Sequence, residues 1–110
     1  MNNNIKLIFD ENEKVIIINS LNNLRTNLSN EDRTIDFLDD IILKVSDSKK
    51  TELDLFESKI IINALNTFRV SLKELNKPRT EVNNLLLKVI DETDKKTLTL
   101  KKKKRGNRGR

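Results

Sequence analysis

"KVIIINSLNNLR" at residues 14–25 returns as "SKIIINALNTFR" at residues 58–69, and the shape of this repeated phrase decides the fold. Sliding the chain by 44 residues matches residues 10–47 to 54–91 at 14 of 38 positions. Seven of the matches cluster: Ile16, Ile17, Ile18, Asn19, Leu21, Asn22 and Arg25 stand against Ile60, Ile61, Ile62, Asn63, Leu65, Asn66 and Arg69. The halves also end alike, "LKVSD" at 43–47 and "LKVID" at 87–91. The pattern is a tandem duplication, with repeat one at 10–47, a joint at 48–53 and repeat two at 54–91. All of it belongs to a single helical domain, 1–100, followed by a basic tail, 101–110.

Periodicity gives each half its shape. Ile17, Leu21, Leu24 and Leu28 are spaced by four, three and four residues, and Ile61, Leu65, Phe68, Leu72 and Leu75 keep the same rhythm, so each phrase is an amphipathic helix. Asp10 precedes Glu13, and Asp54 precedes Glu57, by three residues. This spacing predicts a capping box at each start, with acids set against the unpaired N–H groups of the first turn. Polar stretches follow, "SNEDRT" and "NKPRT", the second containing Pro78, which ends or redirects the chain. Shorter apolar patterns come next: Leu38, Ile41, Ile42 and Val45 in one half, Val82, Leu85, Leu86, Val89 and Ile90 in the other. Each unit is therefore a helix, a turn and a helix. One such hairpin cannot bury its own stripe, so two copies are expected to pack around a pseudo-two-fold axis as an all-α four-helix bundle. The competing reading of "VIII" is a strand, since β-branched runs favour sheets. Outside the repeats, "IKLIF" at 5–9 and "TLTL" at 97–100 alternate as short strands do and are expected to pair as a ribbon joining the termini.

Composition removes most chemistry. The chain has no Cys and no His, so thiolate nucleophiles, imidazole bases, disulfides and the usual zinc sites are excluded. The adjacent acids Asp39 and Asp40 point to different faces of a helix, which suits solvation better than paired acid–base work. No phosphate-binding glycine loop or nucleophile elbow occurs. The expectation is a protein that is not an enzyme, with no catalytic residues, no metal and no cofactor. No apolar run approaches a membrane span and "MNNNIKLIFDENEK" lacks a cationic leader region, so the expected location is cytoplasmic. Richness in Asn, Ile and Lys fits an AT-rich genome of a bacterium, phage or plasmid.

Charge supplies the functional clue. Of the 22 Lys and Arg, seven lie in the tail: Lys101, Lys102, Lys103, Lys104, Arg105, Arg108 and Arg110. Residues 1–100 then carry 15 cations against 17 acids, so the body is mildly acidic and the basicity is terminal. Seven like charges repel and favour an extended segment whose counterpart is phosphate, with Arg adding fork-like contacts. Lacking Trp and Tyr, the chain has few platforms for stacking bases. A second candidate lies on the repeated helices, where Asn22 and Arg25, and their copies Asn66 and Arg69, sit together at the border of the apolar stripe. They form either a paired site for an anion or partner carboxylates, or a structural set in which each Arg pairs with an acid on the following helix, such as Asp36, Asp39 or Asp40. The function expected is that of a small helical binding or regulatory protein, phage- or plasmid-like, whose tail engages nucleic acid, RNA above all, or a nucleoprotein. A protein partner could dock on a bundle face, and the oligomeric state is left open. The alternatives are an inhibitor of a host nucleic-acid enzyme, of anti-defence type, and a structural ribonucleoprotein component.

Overall fold

A computed structural model of the chain describes residues 4–28 and 33–107, with side chains through Leu98. Among them are two strands and four helices, in the order β1 (Ile5–Ile8), α1 (Glu11–Thr26), α2 (Thr34–Asp47), β2 (Lys50–Leu53), α3 (Leu55–Glu74) and α4 (Thr80–Asn107). The fold is the expected all-α bundle with a small two-stranded sheet. Both copies of the repeated phrase are helical, and "VIII" is no strand.

Both capping boxes form with the same geometry. Asp10 Oδ1 accepts the Glu13 N–H at 2.7 Å while Glu13 Oε1 accepts the Asp10 N–H at 3.0 Å, and Asp54 and Glu57 repeat both distances. The exit from α3 is a left-handed stop. Asn76 has φ 55°, its N–H bonds to Lys73 O, and the Lys77 N–H reaches back to Leu72 O at 2.9 Å, just before Pro78.

The terminal ribbon differs from expectation. "IKLIF" supplies β1, but its partner is β2, inside the joint, with register Ile5↔Leu53, Lys6↔Glu52, Leu7↔Thr51 and Ile8↔Lys50. Symmetry explains the choice: a strand lying on a two-fold axis pairs antiparallel with its own copy. Leu7 and Thr51 are cross-strand partners and also repeat equivalents, 44 residues apart, so the pseudo-two-fold axis passes through that pair. The joint is thus the second copy of a strand, and each unit reads strand, helix, helix. Ile5, Leu7, Phe9, Thr51 and Leu53 turn inward, while Lys6, Ile8, Lys50 and Glu52 are exposed.

"TLTL" is no strand either, because α4 continues through it. Thr97 Oγ1 donates to Thr93 O at 3.0 Å in the manner of a helical hydroxyl. The tail, expected to be extended, also continues the helix as far as Asn107. Neither Gly nor Pro interrupts residues 80–105, Lys, Leu and Arg are good helix formers, and cations at a helix C-terminus are favoured by its dipole. The second helix of the second unit is consequently the longest of the described helices instead of a short one.

Ile17 and Leu21 of α1 face Ile61 and Leu65 of α3 in one core, all four without exposed surface. Between them Ser20 and its equivalent Ala64 are also fully buried, small residues that let the two helices approach. Leu38, Ile41 and Val45 close one side, and Val82, Leu85 and Val89, at the matching positions, close the other together with Leu86, whose counterpart Ile42 is only partly buried. The halves interlock at the ribbon, with α4 against β1 and α2 against β2. Two equivalent ion pairs fasten this exchange: Lys44 Nζ reaches Glu57 Oε2 at 2.6 Å, and Lys88 Nζ reaches Glu13 Oε1 at 3.0 Å. Lys88 also donates to Ile8 O at 2.6 Å and lies 5.2 Å from the centre of the Phe9 ring. Each glutamate therefore completes a cap and receives a lysine from the other half. With the lysines more than a third exposed, each pair contributes no more than about 1 kcal/mol, and the apolar contacts dominate.

Two predictions test this packing. Leu21→Ala and Leu65→Ala should each cost about 2–5 kcal/mol in urea unfolding, whereas Asn19→Ala and Asn63→Ala, on the exposed side, should change stability little. Thr51 Oγ1 is buried without a hydrogen-bond partner, so Thr51→Val, which keeps the shape, should raise stability by about 1–2 kcal/mol. A destabilised Thr51→Val chain would contradict the burial described for that hydroxyl.

Candidate nucleic-acid interface

The cationic segment belongs structurally to α4. Thr93 is the last buried residue of this helix among the described side chains, its Oγ1 donating to Val89 O at 2.7 Å. From Thr93 to Asn107 the axis runs about 21 Å further at 1.5 Å per residue. Lys101, Lys102, Lys103, Lys104 and Arg105 lie within this extension, and Arg108 and Arg110 lie outside the described residues. At the base of the extension Lys95 contacts Asp91 Oδ2 at 3.3 Å and Glu92 Oε1 at 3.5 Å. The hydrogen bond and charge of Asp91, followed by those of Glu92, hold the Lys95 ammonium above its usual range. Two acids near the base of the extension, Asp91 and Glu92, are therefore partly neutralised before the run of cations begins.

The two Asn–Arg pairs have diverged. In the first half, Arg25 Nε donates to Asp39 Oδ1 at 2.9 Å, joining α1 to α2, while Asn22 is exposed. Both partners are nearly half exposed, at 45% and 47%, so this pair orients the helices more than it stabilises them. In the second half, the position matching Asp39 is Asn83, and Arg69 Nη2 donates instead to Asn66 Oδ1 at 2.9 Å on its own helix. Arg69 also lines an open pocket of about 270 Å³ with Val70, Lys73, Arg79 and Asn83. Among the described residues each arginine is held within its own half, Arg25 by Asp39 and Arg69 by Asn66, and no hydrogen bond or ion pair joins the two sets.

Three polar members of this pocket were missed from sequence, Lys73, Arg79 and Asn83. Their signal was present as departures from the repeat: Ser29 became Lys73, Ile35 became Arg79 and Asp39 became Asn83. Attention to matching residues passes over such changes. Elsewhere on the surface, the rings of Phe37 and Phe56 meet edge to face at 5.6 Å and 79°, each about half exposed, the one feature of this kind among the described aromatic pairs. No group of three or more metal-ligating side chains is found among the described residues, and no described helix is long and apolar enough to cross a membrane. Comparison of the chain with protein-family models, with curated proteins and with solved structures found no match in any of the three.

Proposed function

We propose that this chain is a non-enzymatic nucleic-acid-binding protein of regulatory type, engaging its target through the cationic end of α4. The observation that supports the reading is the unbroken course of α4 from the buried Thr93 to Asn107. Cations carried on a helix are already ordered before they meet phosphate, so less conformational freedom is lost on binding than from a loose tail. A helix also favours one form of nucleic acid. The major groove of B-form DNA admits an α-helix, whereas that of A-form RNA is too narrow for side chains to read. Duplex DNA is therefore the target this reading favours, in place of the RNA suited to an extended tail. Four lysines and Arg105 supply mainly phosphate contacts, so affinity should greatly exceed sequence preference.

The test is binding to labelled duplex DNA and to structured RNA across a salt series. Engagement of four to seven phosphates predicts a log–log slope of about −4 to −6 for duplex DNA. Deleting residues 101–110 should abolish most of the affinity while leaving the urea-unfolding midpoint unchanged, because no described core residue is removed. Replacing Arg105, Arg108 and Arg110 with Lys should cost little if contacts are to phosphate charge alone. Binding that survives the deletion, or no binding by the intact chain at low salt, would overturn the reading; the second result would direct attention to protein docking at the exposed Phe37–Phe56 pair.

A further inference from the structure

Duplication gives this protein an internal control at the outer end of each helical hairpin. Where the first half seals the junction of α1 and α2 with the Arg25–Asp39 ion pair, the second half keeps the arginine and loses the acid. The replacement, Asn83, has nearly the shape of aspartate without its charge. Two other matched positions have gained charge, with Lys73 in place of Ser29 and Arg79 in place of Ile35. The consequence is a pocket lined by three cations, a valine and an amide, with no carboxylate in its wall. None of the ion pairs among the described residues involves Arg69, Lys73 or Arg79.

Arg69 and Arg79 are partly buried, and guanidinium groups that have lost water without gaining an anion are costly. Asn83 Oδ1 is itself buried and without a hydrogen-bond partner. An amide flip that turns its NH₂ toward an incoming oxygen therefore breaks no bond at that atom. The start of α4 lies at the same place, the Asn83 N–H bonding to Arg79 O at 2.8 Å, so the positive end of the helix dipole adds to the side-chain charge.

We propose that this pocket binds a phosphate-type oxyanion. Arg69 and Arg79 offer fork-like donors to its oxygens, Lys73 supplies an exposed charge at the rim, and Asn83 supplies a neutral donor from the wall. The site is independent of the cationic segment, since 22 residues of helix, about 33 Å, separate Arg79 from Lys101. Its phosphate is either a free one or a phosphodiester of a bound nucleic acid.

The test is calorimetric titration of the full chain with inorganic phosphate. Saturable one-to-one binding is expected, weakened at least about tenfold in the double variant Arg69→Gln/Arg79→Gln. Asn83→Asp should abolish binding while the chain stays folded, because it restores to the second half the ion pair that the first half already has. Arg25→Gln, at the equivalent position of the first half, should leave phosphate affinity unchanged. Displacement of phosphate by duplex DNA would identify a phosphodiester as the source, and simultaneous binding of both would identify a free phosphate. No saturable binding of phosphate at millimolar concentration, or equal binding by Asn83→Asp and the parent chain, would overturn the proposal.

Discussion

Neither half of this chain can cover its own apolar stripe, and everything else in the structure follows from that shortage. Ile17 and Leu21 on α1 find their cover in Ile61 and Leu65 on α3, which are the same residues of the other copy. Complete burial of each such side chain is worth about 1.5–3 kcal/mol, more than any of the surface ion pairs supplies. Identical faces packed together imply a two-fold relation. That relation in turn places β1 beside β2 with Leu7 opposite Thr51, and sends Lys44 and Lys88 to Glu57 and Glu13 across the boundary. The ribbon and the ion pairs set the register of an arrangement whose driving force is apolar.

The core was legible because it obeys a period. Spacings of three and four among Ile17, Leu21, Leu24 and Leu28 define a helical face without any knowledge of the partner, and Asp10 and Asp54 announce the helix starts by local chemistry alone. The second strand was not legible. Four residues, "KTEL", carry too little alternation to distinguish a strand from a linker, and the inward-facing Thr51 disguises the apolar side. "TLTL" erred in the opposite direction, since its β-type alternation is overridden by the helix already under way from Thr80. The cross-half lysine pairs needed the fold, because sequence spacing does not reveal which glutamate a lysine from the other repeat will meet. The anionic gap at Asn83 was written in the alignment of the repeats, but a missing acid gains meaning only when Arg69, Lys73 and Arg79 are seen around one pocket.

A duplicated unit separates conservation of packing from freedom at the surface. Leu38 and Val82, and Ile41 and Leu85, hold equivalent buried positions despite a change of side chain, and Val45 and Val89 do so unchanged. Outside that core the halves differ in charge and in length. One hairpin closes with the Arg25–Asp39 pair and ends its second helix after 14 residues, while the other carries a cationic pocket and a second helix of 28 residues. Both functional proposals use features of the second half, with the first half serving chiefly as the surface that folds it.

The shared core is tested most directly by residue-resolved urea unfolding of the intact chain, with amide signals followed in α1 at Leu21 and in α3 at Leu65. A core built from both halves predicts one cooperative transition, the two amides losing their native signals at the same midpoint and with the same slope. Loss of the Leu21 signal at a lower urea concentration while Leu65 remains native, or the reverse, would show that one half folds without the other and would contradict the account.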